Sequence, residues 1–147
     1  MLTNSGNSKR VEIGAAINNI IDGKPYTYPK QPASVEMENV YRSSGIDAAI
    51  RTYRRLKPQS ESEYDLSEGE LNSLGYQILY ADHHAQDAIR VFAPNAEEHP
   101  ASSNAFDSLA DAYGVGGNTQ AARANYEKAL GPDPTNEHAR TALSQIK

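Results

Sequence analysis

Cysteine is absent from this 147-residue chain, which excludes disulfides, thiolate nucleophiles and cysteine-ligated zinc. Long apolar runs are missing as well, since no stretch approaches the ~20 residues that span a bilayer. Positive charge is scarce. Against 19 Asp and Glu stand 14 Lys and Arg, for a net charge of −5 and a pI near 5.3. Affinity for phosphate comes from neutralising cations, so this balance argues against nucleic acid or an anionic membrane as a partner. The hydrophobic share is only 38% and the mean hydropathy −0.68. Such a lean chain suits an elongated array, which buries less per residue than a globule. Its length fits one domain. Met1 to Arg10 is polar, without the apolar core of a signal peptide, so the compartment is cytoplasmic by default.

Motifs that carry chemistry are equally sparse. His83, His84, His99 and His138 show no His-Glu-x-x-His or comparable ligand spacing. They read as solvated turn and helix-end residues, and neither a metal nor a cofactor is expected. Gly114, Gly116 and Gly117 follow no strand, so they make a poor phosphate-cradling loop. Ser144-Gln145-Ile146-Lys147 spells Ser-x-x-Lys in letters, but a frayed end cannot hold the lysine to deprotonate the serine. No catalysis is expected.

What the chain does contain is an internal repeat. Leu71, Leu74, Gly75, Ile78, Ala88, Phe92 and Pro100 are matched by Phe106, Leu109, Ala110, Tyr113, Ala122, Tyr126 and Pro134. The first four of each set fall at i, i+3, i+4 and i+7, one stripe of a helix. Small residues at 75, 88, 110 and 122 let paired helices approach, and Phe92 and Tyr126 fill the gap to the next pair. Pro100 and Pro134 end the second helices. The offset drifts by one residue between Leu71 and Phe92, which places an extra residue in the first turn, around Asp82–Ala85. Ser67 with Glu70 reads as a capping box. Ser102 or Ser103, Asn118 and Thr135 are N-cap candidates, and Gly116-Gly117 makes the second turn. Pro94 should kink the helix of Ala85–His99.

These residues resemble the tetratricopeptide repeat, with Ala standing for Gly and Phe for Trp in the second unit. Asn95 departs from the pattern, which has a small apolar residue there. The expected fold is all-α: helical hairpins at 67–100 and 102–134 and a capping helix at 135–147. A degenerate unit at 34–57 precedes them, with Ser34 as its cap, a first helix to Ser43 and a turn at Gly45. Upstream, 24–33 is a proline-rich linker, and Val11 to Ile21 is an amphipathic helix with Ile13, Ile17, Ile20 and Ile21 on one stripe.

Residues 1–23 carry a second resemblance. Leu2-Thr3-Asn4-Ser5-Gly6-Asn7, a helix, then Asp22-Gly23-Lys24-Pro25-Tyr26 is similar to the closing strand and last helix of a β-lactamase-like serine hydrolase. That likeness would make the chain the accessory tail of such an enzyme. The family's Tyr-x-Asn and Lys-Thr-Gly motifs do not occur here.

The tetratricopeptide resemblance implies a protein or peptide partner held along the concave face of the first helices. Asn72 and Tyr76 from one unit and Asn104, Asp107 and Asp111 from the next would line it. Their acidity disfavours a C-terminal carboxylate and suits a basic or hydroxyl-rich segment. A hydrolase domain or a second copy of the chain are further candidate partners. The cations Arg51, Arg54, Arg55 and Lys57 sit at a helix C-terminus, where they complement its dipole.

Overall fold

A computed structural model describes residues 17, 21–23, 29–59 and 63–146. The chain divides into two compact units, Met1–Lys30 and Gln31–Lys147. Of the first, Ile17 and Ile21 are helical and exposed, and Gly23 turns with φ 66°. The rest of the expected Val11–Ile21 helix and of the hydrolase-like segment lies outside the described residues.

The second unit is built of helices. They are α1 (Ala33–Leu56), α2 (Glu68–Tyr76), α3 (Ala85–Glu98), α4 (Ser103–Val115), α5 (Thr119–Ala129) and α6 (Glu137–Gln145). Two-residue strands β1 (Gln31–Pro32) and β2 (Tyr64–Asp65) pair in parallel and tie the entry of α1 to the connection before α2. Among the described residues no helix is long and apolar enough to cross a membrane.

α1 is two helical arms joined at Gly45, whose φ of 77° and ψ of 179° are not helical. Met37 from the first arm and Tyr53 from the second enter the main core with Leu71, Leu74, Ile78, Val91 and Phe92. A second cluster, Ala110, Ala122, Tyr126, Ala129 and Ala139, lies under α6. Phe106 and Tyr113 pack against both clusters and make the interior continuous.

The small residues of the repeat have the role their size predicts. Ala88, Ala110 and Ala122 are fully buried. A Cβ on Gly75 would stand 2.4 Å from the Phe92 ring, so α2 and α3 touch through hydrogen against aromatic.

Local chemistry differs from expectation at several points. The side chain of Ser67 makes no cap: the Glu70 N–H donates to the Ser67 carbonyl at 3.0 Å, and the Glu70 carboxylate accepts a hydrogen bond from Ser34 of α1. Ser34 is not a cap either, since α1 begins at Ala33 with Pro32 in the N-cap position. Asn136, not Thr135, caps α6 through the Ala139 N–H at 3.0 Å, while Thr135 is held by Asp133. Ser102 and Asn118 do cap α4 and α5. The extra residue of the first turn is absorbed earlier than Asp82, in a π-helical stretch Gln77–Ala81 that widens the end of α2. Asp82 N–H reaches back five residues to the Gln77 carbonyl, the signature of a π-bulge. Pro94 lies inside α3 without interrupting it, so the repeat is unbroken there as expected. Asn95, fully buried, donates to the Glu68 carbonyl at the start of α2, which explains a polar residue where the repeat has an apolar one.

Candidate functional site

The first arm of α1 and helices α2, α4 and α6 form a row joined by side-chain bridges. Ser34 reaches Glu70, and Gln77 at the end of α2 donates to Glu38 at 2.6 Å. Asn104 donates to Glu68 at 2.8 Å, and Asn136 to Ser103 at 3.0 Å. Each bridge links a residue to one roughly a repeat length away.

Two carboxylates of α4 meet residues of three other helices. Asp107 and Asp111 are one helical turn apart on α4, so their carboxylates share a face. Tyr76 of α2 donates to one oxygen of Asp111 at 3.0 Å, and Tyr126 of α5 donates to the other at 2.6 Å. The Tyr76 ring is itself set by neighbours, stacked on Tyr80 and edge-on to Phe92. Burial, with the Asp111 charge, raises the pKa of both phenols, so both remain donors.

Asp107 is in a different position. It is 8% exposed, and burial lifts its carboxyl above the usual range, against the pull of a hydrogen bond from His138. One oxygen lies 2.8 Å from His138 Nδ1, and the other is buried without a partner. The Asn72 side-chain oxygen, at the equivalent place on α2, is also buried without a partner. Unpaired buried acceptors cost about 1–3 kcal/mol each.

His138 was expected to be a solvated helix-end residue. It is half-exposed, but its ring bridges the two acids: Nδ1 faces Asp107 at 2.8 Å and Nε2 faces Asp111 at 3.6 Å. The edge of Tyr126 supports it, ring centroids 5.9 Å apart. Linear spacing could not reveal this, because the His lies 31 residues from Asp107 and meets it only when α6 docks.

Atoms of Asp107, Asp111 and His138 lie within 4.8 Å of one another, close enough for a divalent cation. Their orientation suits an N–H donor better. Nδ1 is within hydrogen-bond distance of Asp107 and Nε2 lies 3.6 Å from Asp111, so the two nitrogens serve different carboxylates, whereas a metal takes one nitrogen lone pair together with both acids.

Of the five residues expected to line a groove, Tyr76 and Asp111 touch directly, Asp107 stands beside them, and Asn104 is turned to Glu68 at the rim. Asn72 contributes a buried acceptor on α2. The sequence reading missed His138, Tyr126 and Glu68. The repeat pattern marks Tyr126 as a packing residue, and its hydroxyl, which donates to Asp111, is what adds it to the site.

No protein-family model matches the chain, and neither does any curated protein. The hydrolase-like resemblance of the N-terminal segment therefore finds no support there. Among solved structures, the second TPR domain of human RPAP3, determined by NMR in complex with the HSP70 peptide SGPTIEEVD, is similar with a TM-score of 0.54 and 18% identity. The match covers 78% of this chain and 92% of that one. Likeness at this identity is likeness of fold: the chain is an all-α array of tetratricopeptide-type helical hairpins.

Proposed function

We propose that this chain is a non-catalytic interaction module that binds an extended peptide segment of a protein partner. The segment lies along the concave side of α2 and α4, against Asn72, Tyr76, Asn104, Asp107 and Asp111. We further propose unit boundaries of 34–57, 67–100 and 102–134, with 135–147 as the cap.

One observation carries this reading. Asn72 of α2 and Asp107 of α4, at equivalent places on adjacent first helices, each carry a buried acceptor without a partner, as do Asp82 and Asn95 elsewhere. Folding alone gains nothing from them, since apolar residues at those positions would pack more favourably. A peptide, rich in N–H donors, supplies what they lack. The similar domain of RPAP3 holds a peptide, which agrees with the same class of ligand here.

The test is selection of displayed random 12-residue peptides on the immobilised chain. Selected peptides are then titrated into the ¹⁵N-labelled protein. Amide shifts should concentrate on Asn72, Tyr76, Asn104, Asp107 and Asp111. Shifts confined to α3 and α5, or a selection that enriches nothing, would overturn the proposal.

A further inference from the structure

The geometry points to a specific ligand chemistry at the centre of the row. We propose that Asp107 and Asp111 form a subsite for one cationic side chain, lysine or arginine, of the bound peptide, and that His138 is an intramolecular occupant which that side chain displaces. This rests on the peptide-binding reading above and names its ligand.

Three observations converge. The first is charge: two carboxylates one turn apart, buried enough for water to screen them weakly, favour a positive group over any other. No Lys or Arg is seen in an ion pair with either acid among the described residues; the salt bridges of both run only to His138. The second is the unpartnered oxygen of Asp107, a residue 8% exposed as a whole and 12% at its side chain. A buried charge with an unused acceptor is stable only beside a donor. The third is the occupant already in place. His138 offers one nitrogen to each acid, at 2.8 and 3.6 Å, which outlines where a two-pronged N–H donor sits. A guanidinium presents such a fork, and an ammonium presents three donors from one atom.

The hold on His138 is weak in the way a displaceable group requires. Its side chain is 57% exposed, and one of its two contacts is longer than a hydrogen bond. Asp111 keeps both tyrosine hydrogen bonds whether or not the imidazole is there. The acid pair therefore stays pre-organised when the ring swings out. Tyr76 and Tyr80, stacked at 5.7 Å, offer an aromatic surface beside Asp111 for the aliphatic stem of a lysine or the plane of an arginine.

The experiment uses five pools of nine-residue peptides, acetylated and amidated, random except for a central lysine, arginine, norleucine, glutamine or glutamate. Each is labelled, and binding to the full chain is read by fluorescence anisotropy in EDTA. Lysine and arginine pools should bind at least about ten-fold tighter than the norleucine pool, which has a similar stem without the charge. Asp107→Asn or Asp111→Asn, checked for folding by circular dichroism, should erase that preference. His138→Ala should tighten the lysine pool several-fold. If His138 were only a clasp for α6, the same variant would lower the melting temperature and leave affinity unchanged or weaker. That outcome would overturn its role as occupant. Equal binding of lysine and norleucine pools, or preference for glutamate, would overturn the cation subsite and leave peptide binding standing. Binding by no pool would overturn both. Binding that appears only when zinc replaces EDTA would assign the cluster to a metal ion instead.

Discussion

Asp107 shows how one residue can oppose the fold it belongs to. Burial raises its carboxyl pKa above the unfolded value of 3.8, so the native chain holds that proton more tightly than the unfolded chain does. The charged form therefore subtracts stability at neutral pH, and the penalty fades as pH drops through the raised value and then below 3.8. Asp107→Asn is expected to stabilise the protein by about 0.5–1 kcal/mol at pH 7.5 in urea titration, while removing the preference for cationic peptides. A loss of stability would mean that the His138 contact outweighs desolvation, and would weaken the case for a site kept at a cost. Tyr53 is the contrasting case, a nearly buried phenol whose hydroxyl donates to Glu98. Here polarity supports the fold. Tyr53→Phe should destabilise by about 1–2 kcal/mol, the range for a hydrogen bond to a charged acceptor at a partly exposed site, in the same urea titration.

Two glycines separate the reasons an element can need that residue. Gly75 sits in ordinary helix, but a methyl there would stand 2.4 Å from Phe92. Gly75→Ala gains about 1 kcal/mol of helix propensity and loses more to overpacking. A net destabilisation of about 1–2 kcal/mol is expected by thermal melting, and it should largely vanish in a Phe92→Leu background. Unequal cost in the two backgrounds is the signature of contact; equal cost would show that Phe92 is not what Gly75 accommodates. Gly45 has open space around its absent Cβ, yet its φ is 77°. Gly45→Ala should cost about 1–3 kcal/mol through backbone strain alone, and no substitution of a neighbouring side chain should rescue it. The repeat pattern marked Gly75 as a small-residue position, because period and size are written along the chain. It could not place the π-turn at Gln77–Ala81, since a widened turn changes no residue type.

At the scale of the molecule, acid and truncation probe different bonds. Glu38 is held below its ordinary value by hydrogen bonds from Gln77 and Arg42. For Glu98, burial pushes upward, but hydrogen bonds from Lys57 and Tyr53 outweigh it and the pKa is lowered. Asp133 is lowered by the Thr135 hydroxyl and N–H. Groups lowered on folding add stability above their unfolded values, 4.5 for Glu and 3.8 for Asp, and lose it as pH falls through the folded ones. Stability by urea titration should therefore be flat from pH 7 to about 5 and fall below 4.5, with Asp107 pulling weakly the other way. A stability maximum below pH 4 would contradict this assignment. Removing residues 135–147 uncovers Ala110, Ala122, Tyr126 and Ala129, since the last unit of a stacked array needs a polar cap. The melting temperature should drop by at least about 5 °C, and the His138 contact disappears with the helix.

The amino-acid sequence by itself determined the all-α fold class, the pairing of helices into hairpins, and the small residues that let them meet. All of these follow from periodicity and side-chain size, which are local properties of a helix. Tertiary structure decided the partners. Ser34 engages the Glu70 carboxylate, Asn95 is tied to Glu68, and His138 lies near both Asp107 and Asp111. Each of those contacts joins residues 27 to 36 positions apart. Which side chain answers which at such separation depends on how one hairpin stacks on the next, a relation that spacing along the chain does not encode.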